Sequence, residues 1–110
     1  MNTFEIFANG TNMGEYQGNT EAAAVDAFAE DAGYDSFSDL LQNVPGSSRD
    51  DLDVCLIRTE DLCAAVEKRS GRSVLEDSYG NGVAVVNDVS YDTYRMLTEA
   101  YGLDLADFYA

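Results

Sequence analysis

"FEIFANGTNMGEYQGNTEAAAVDAFAEDAGYDSFSDLL" occupies residues 4–41 and carries the signals of a hairpin followed by two helices. It opens with alternation: Phe4, Ile6 and Ala8 share one face of an extended segment, with Glu5 and Phe7 on the other. Asn9-Gly10-Thr11-Asn12 supplies turn residues and "MGEYQG" returns, which predicts a β-hairpin. Asn19 or Thr20 caps the helix that follows, and Glu21 stands in its first turn, where negative charge suits the dipole. Ala24, Val25, Phe28 and Ala32 recur at helical spacing, and Gly33 is a natural stop. Asp35 or Ser36 caps a second, short helix that buries Phe37, Leu40 and Leu41 before Pro45 ends it.

Working outward, "LDVCLIRT" from Leu52 puts Leu52, Val54 and Leu56 on one face and Cys55 and Ile57 on the other, which reads as a central strand. Thr59 caps the next helix. Glu60 and Asp61 lie in its first turn and Lys68 and Arg69 in its last, as the dipole prefers. "SVLEDSYGNGVAVV", residues 73–86, reads as a hairpin around Asn81-Gly82. Ser90 caps a last helix with a core face of Tyr94, Met96, Leu97 and Tyr101, stopped by Gly102. "LDLADFYA" adds a helical turn that packs Leu103, Leu105 and Phe108. The expected fold is α+β: an antiparallel sheet built from two hairpins and a central strand, covered by three to four helices. A chain of 110 residues suits one domain, with an internal break at 45–51, where Pro45 opens "PGSSRDD".

With 45% apolar and 11% aromatic residues, the composition is that of a folded globular protein. No apolar run reaches membrane-spanning length, and "MNTFEIFANG" has neither the basic nor the apolar region of a signal peptide, so the expected compartment is the cytoplasm. Cys55 and Cys63 stand eight apart and His is absent, which fits neither a CxxC pair nor a zinc set; both are expected to be reduced core residues rather than a disulfide. Without His, neither Ser-His-Asp nor Cys-His catalysis is available. A carboxylate pair of the glycosidase kind is formally open, but no Trp is present to stack on a sugar, and the expectation is a non-enzyme without cofactor. Asp77, Asn81, Gly82 and Asp88 fall at positions one, five, six and twelve of an EF-hand loop. Tyr79 holds position three, where a ligand belongs, and the flanks read as strands, so the hairpin is preferred. Asp50, Asp51 and Asp53 read as a solvated loop entering a strand rather than a metal site.

The formal charge of −15 is the outstanding feature. Charge of this size bears on partners rather than fold. It argues against direct binding to nucleic acid or an anionic membrane, both of which reward Lys and Arg, and it suits a basic protein surface. The imbalance is also regional. Met1 to Ser48 contains no Lys or Arg, and all six basic side chains lie from Arg49 onward. Asp26/Glu30 and Asp35/Asp39 are like-charged at i,i+4, each pair costing roughly a few tenths of a kcal/mol if helical. Halophilic adaptation, plain solubility and mimicry of a nucleic-acid backbone all account for such acidity. The concentration in one half speaks against the first.

The stretch also resembles a pattern in small proteins of phages and other mobile elements. There, a hairpin ending in "G-x-Y/F-x-A/G-x-T" leads into an "EAxxxxARDAGY" helix. The matching residues are Gly14, Tyr16, Gly18, Thr20, Glu21, Ala22, Ala27, Ala29, Asp31, Ala32, Gly33 and Tyr34, and the usual Arg before the Asp is Glu30. Most of these positions are structural. By class and composition the chain looks like an acidic anti-CRISPR or anti-restriction protein, a resemblance that transfers no functional residue.

The expectation is therefore an inhibitor of a bacterial defence nuclease complex, acting in the host cytoplasm. An acidic face would dock on the basic nucleic-acid-binding surface of a Cas or restriction subunit. The candidate partner-binding residues are Glu21, Asp26, Glu30, Asp31, Asp35 and Asp39 as phosphate surrogates, with Tyr34 for packing. Phe37 serves either that interface or the core, and Asp50, Asp51 and Asp53 extend the surface if their loop lies beside the helix. The alternative is a non-catalytic accessory or structural protein of a mobile element or halophile, acidic for solubility only.

Overall fold

The computed structural model describes residues 1–76 and 82–110. The chain falls into two compact units, Met1–Ile57 and Arg58–Ala110. Its class is α+β with antiparallel pairing throughout.

In the first unit, β1 (Asn2–Ala8), β2 (Thr11–Gly18) and β3 (Leu52–Ile57) form a sheet in the order β2-β1-β3. The central position belongs to β1, not to β3 as its apolar run suggested. A run such as "LDVCLI" fits centre or edge, and β1 carries the continuous burial, from Thr3 to Ile6. Phe4 pairs with Tyr16 and Leu56, and Ile6 with Gly14 and Val54, so these side chains share one face. The β1–β2 turn is Asn9-Gly10 alone, with φ of 51° and 82°, as a two-residue hairpin requires. Past it the register shifts, leaving Met13 as the extra residue of a β-bulge beside Gly14, whose φ of +109° suits glycine.

Two helices follow the hairpin, α1 (Glu21–Asp31) and α2 (Phe37–Asn43). Thr20 is the cap of α1, its hydroxyl accepting the Ala23 N–H at 3.1 Å. The buried face of α1 is Ala24, Val25, Phe28 and Ala29; Ala32, expected in the core, is the exposed C-cap. Val25, Phe28 and Ala29 join Ile6, Leu40 and Leu52 in one core, with Tyr16, Tyr34, Phe37 and Val54 packed against it. Leu41 was expected in that core too, but it is 39% exposed, because a seven-residue helix turns only Leu40 fully inward.

The second unit holds α3 (Thr59–Ser70), a two-stranded sheet of β4 (Ala84–Val86) and β5 (Val89–Tyr91), and α4 (Tyr94–Ala100). A 3-10 turn at Leu105–Phe108 closes it and buries Leu105. Thr59 is the first helical residue of α3 and not its cap; that position is Arg58, without a side-chain cap hydrogen bond. The hairpin turn is Asn87-Asp88, both at positive φ. The expected turn at Asn81-Gly82 begins on a residue outside the described ones. Ser90 lies in β5, and Thr93 caps α4 in its place, accepting the Met96 N–H. Leu97 and Thr98 form the buried face of α4, whereas Met96 is half exposed.

Candidate functional site

The acidic segment is held by a joint between hairpin and helix. Gly18, at the end of β2, lies so close to α1 that an added Cβ would stand 2.7 Å from the Ala24 amide nitrogen. The Tyr16 ring meets Phe28 edge-on, with centroids 5.7 Å apart, and its hydroxyl donates to Asp31 Oδ2 at 2.9 Å. Burial pushes the Tyr16 phenol up to about 12, helped by the hydrogen bond to Asp31 and its charge. At the other end, Gly33 N–H bonds to Glu30 O and Tyr34 N–H to Ala29 O, with Gly33 at φ +98°. This is a Schellman motif, and Tyr34 supplies the apolar contact that accompanies it.

The candidate carboxylates divide into two kinds. Asp26 Oδ1 accepts the Phe37 N–H at 3.0 Å, so a side chain in mid-α1 satisfies the first orphan donor of α2. Asp31 holds Tyr16. Asp39 accepts the Asp35 N–H at 3.0 Å while its own N–H donates to Ser36 Oγ, and Asn43 Nδ2 donates to its Oδ1. Asp35 and Asp39 are therefore not the repelling helical pair their spacing suggested, because Asp35 precedes α2 and its amide is bound by Asp39. Glu21 lies 3.9 Å from Arg49 Nη2, both largely exposed, a contact of little energetic weight. Glu30 and Asp35 are exposed and have no side-chain hydrogen bond or ion pair among the described residues. Tyr34 is half-buried at the helix end, more anchor than contact surface.

The last turn of α1 carries Glu30 and Asp31 and no basic residue, against its dipole, whereas α3 has acids in its first turn and Lys68 and Arg69 in its last. Across Met1–Ile57 there are eleven carboxylic side chains and one guanidinium, that of Arg49.

Spacing in the sequence did not reveal a groove of about 250 Å³ lined by Ala22, Val25, Asp26, Phe37, Ser38, Leu41 and Arg49. No local signal marks it, since it exists only where α1, α2 and the 49–51 turn meet. Arg49 Nη1 donates to Leu52 O at 3.0 Å, which fixes the guanidinium at the groove's edge. The turn Arg49–Asp51 is thus beside α1. Asp51 is occupied in a capping box with Ser48, and Asp50 and Asp53 are exposed.

Elsewhere, Glu5 is buried to 1% exposure and accepts from Asn12 Nδ2 at 3.0 Å. Cys55 and Cys63 are free thiols, both half-buried, and burial raises the pKa of each. Of the EF-hand positions, Asp77, Tyr79 and Asn81 lie outside the described residues; Asp88 sits in a hairpin turn. No described helix is long and apolar enough to cross a membrane. The site so defined is an acidic two-helix face on a small α+β scaffold. Compared with protein-family models, curated proteins and solved structures, the chain finds no match in any of the three.

Proposed function

We propose that this chain is a non-catalytic inhibitor acting in a bacterial cytoplasm. Its α1–α2 face occupies the basic nucleic-acid-binding surface of a defence nuclease complex, a Cas or restriction subunit. One observation carries the reading: the carboxylates of this face are numerous, with Asp26, Asp31 and Asp39 held in place by neighbouring donors and Glu21, Glu30 and Asp35 exposed beside them. Asp26 and Asp31 each give one oxygen to a neighbouring donor and retain lone pairs for a partner, whereas Asp39 gives both of its oxygens, to the Asp35 N–H and to Asn43. Such ordered charges lose less entropy on binding than mobile ones, and the surplus of negative charge steers a cationic partner inward.

The test is capture of partners on tagged protein, elution with salt, and competition. A nucleic-acid-binding subunit that elutes with salt and loses its DNA or RNA when the chain is added supports the proposal. Inhibition that survives Glu30→Lys with Asp35→Lys removes it.

The same hydrogen bonds also favour a second reading. Three of the six acids serve helix ends and the tyrosine contact, so part of the acidity is architectural. An accessory protein of a mobile element or halophile, acidic for solubility only, needs no more than that.

A further inference from the structure

We propose that the α1–α2 groove is a receptor for one large apolar side chain of a partner segment whose neighbouring residues are Lys or Arg. The proposal rests on the acidic face being the binding face and names its anchor. The groove's lining is mostly apolar, from Ala22, Val25, Phe37 and Leu41, together with Asp26, Ser38 and Arg49. Its volume of about 250 Å³ falls below the range of small-molecule sites, roughly 300–1,000 Å³, and suits a side chain rather than a cofactor.

The occupant's charge follows from the surroundings. Glu21, Glu30 and Asp35 are exposed on the same two-helix segment, and an anionic ligand would enter against them. Arg49 offsets only one of these charges, because Asp26 also lines the groove and Glu21 lies 3.9 Å from the guanidinium. A cationic segment meets the opposite situation: its charges face the carboxylates while its apolar residue leaves water. That arrangement, an apolar centre ringed by polar contacts, is where binding energy concentrates in protein interfaces. Leu41, 39% exposed and part of the groove lining, is the residue such a contact would cover.

The test uses the full chain and three labelled lysine-arginine peptides that differ only in a central Leu, Phe or Ala. Affinity is read by fluorescence anisotropy near physiological salt, and the site by amide shifts in NMR spectra. The Leu and Phe peptides should bind about ten-fold tighter than the Ala peptide, the effect of burying one apolar side chain. Shifts should centre on Ala22, Val25 and Leu41. Leu41→Ser, and independently Ala22→Trp, which fills the groove, should abolish the difference while leaving the circular dichroism spectrum unchanged. Glu30→Lys should weaken all three. Equal affinity for the three peptides, or shifts centred elsewhere, overturns the groove and leaves the acidic face standing. Binding by none of them overturns both.

Discussion

Asp26 Oδ1 accepts the backbone N–H of Phe37 at 3.0 Å, so a carboxylate inside α1 caps the first residue of α2. From spacing alone, Asp26 and Glu30 are equivalent members of a like-charged pair. In the fold they are not. Asp26→Ala should therefore lower stability by about 1 kcal/mol, the usual loss for a helix cap. Glu30→Lys should raise it by roughly a few tenths of a kcal/mol, since it relieves the repulsion and suits the helix end. Urea denaturation of the two variants separates these outcomes, and Glu30→Lys becomes the clean charge reversal for binding experiments.

The Tyr16 hydroxyl makes stability fall at high pH. Its folded pKa of about 12 exceeds the ordinary phenol value of 10.0, so folding favours the protonated phenol. The contribution is fully present below pH 10, declines as the unfolded state ionises, and is lost by about pH 12. Tyr91 is shifted in the same direction, mainly by burial, so the wild-type decline has more than one source. Thermal melts of Tyr16→Phe across this range should show a shallower fall than the parent. Parallel curves would mean that the burial of the phenol, with its Asp31 contact, does not persist in solution.

Two glycines in the acidic segment should respond differently to alanine. Gly33→Ala places a Cβ at φ +98° with nothing within 4 Å, so the penalty is conformational alone, about 1 kcal/mol. Gly18→Ala has an ordinary φ, but its Cβ would meet the backbone of α1 at 2.7 Å, and the strand–helix joint must open. The larger loss is expected for Gly18→Ala, by about 1–3 kcal/mol as for overpacked cores. Denaturation midpoints of the two variants give the order directly.

Salt should stabilise the parent only over a limited range. Eleven carboxylic side chains against one guanidinium in Met1–Ile57 repel one another, and screening is largely complete once the Debye length falls to about 8 Å at physiological ionic strength. The melting temperature is expected to rise with the first additions of sodium chloride and then level off. A rise that continues into molar salt identifies halophilic adaptation instead. Glu30→Lys should shorten the initial rise.

Much of this architecture was legible in the residues, because its signals are local. Asn9-Gly10 with flanking alternation specifies a two-residue hairpin. Thr20, Ser36 and Gly33 mark helix ends through hydrogen bonds or backbone angles reaching only a few residues. The short-range errors have a local origin too: Ala32 lies one turn beyond Ala29, past the helix end as its C-cap, and Met96 is the neighbour of Leu97, between which a two-turn periodicity does not decide.

By itself the sequence determined the α+β class, the first hairpin and its helices, and an acidic segment with no cation before Arg49. Tertiary structure decided that β1 is the central strand and that Asp26, Asp31 and Asp39 are engaged while Glu30 and Asp35 project. It also formed a groove from residues as distant as Ala22 and Arg49. The physical reason is reach. Turns, caps and periodicity act within a few residues, whereas strand order, the partner of a carboxylate and the walls of a groove depend on contacts between segments far apart in the chain.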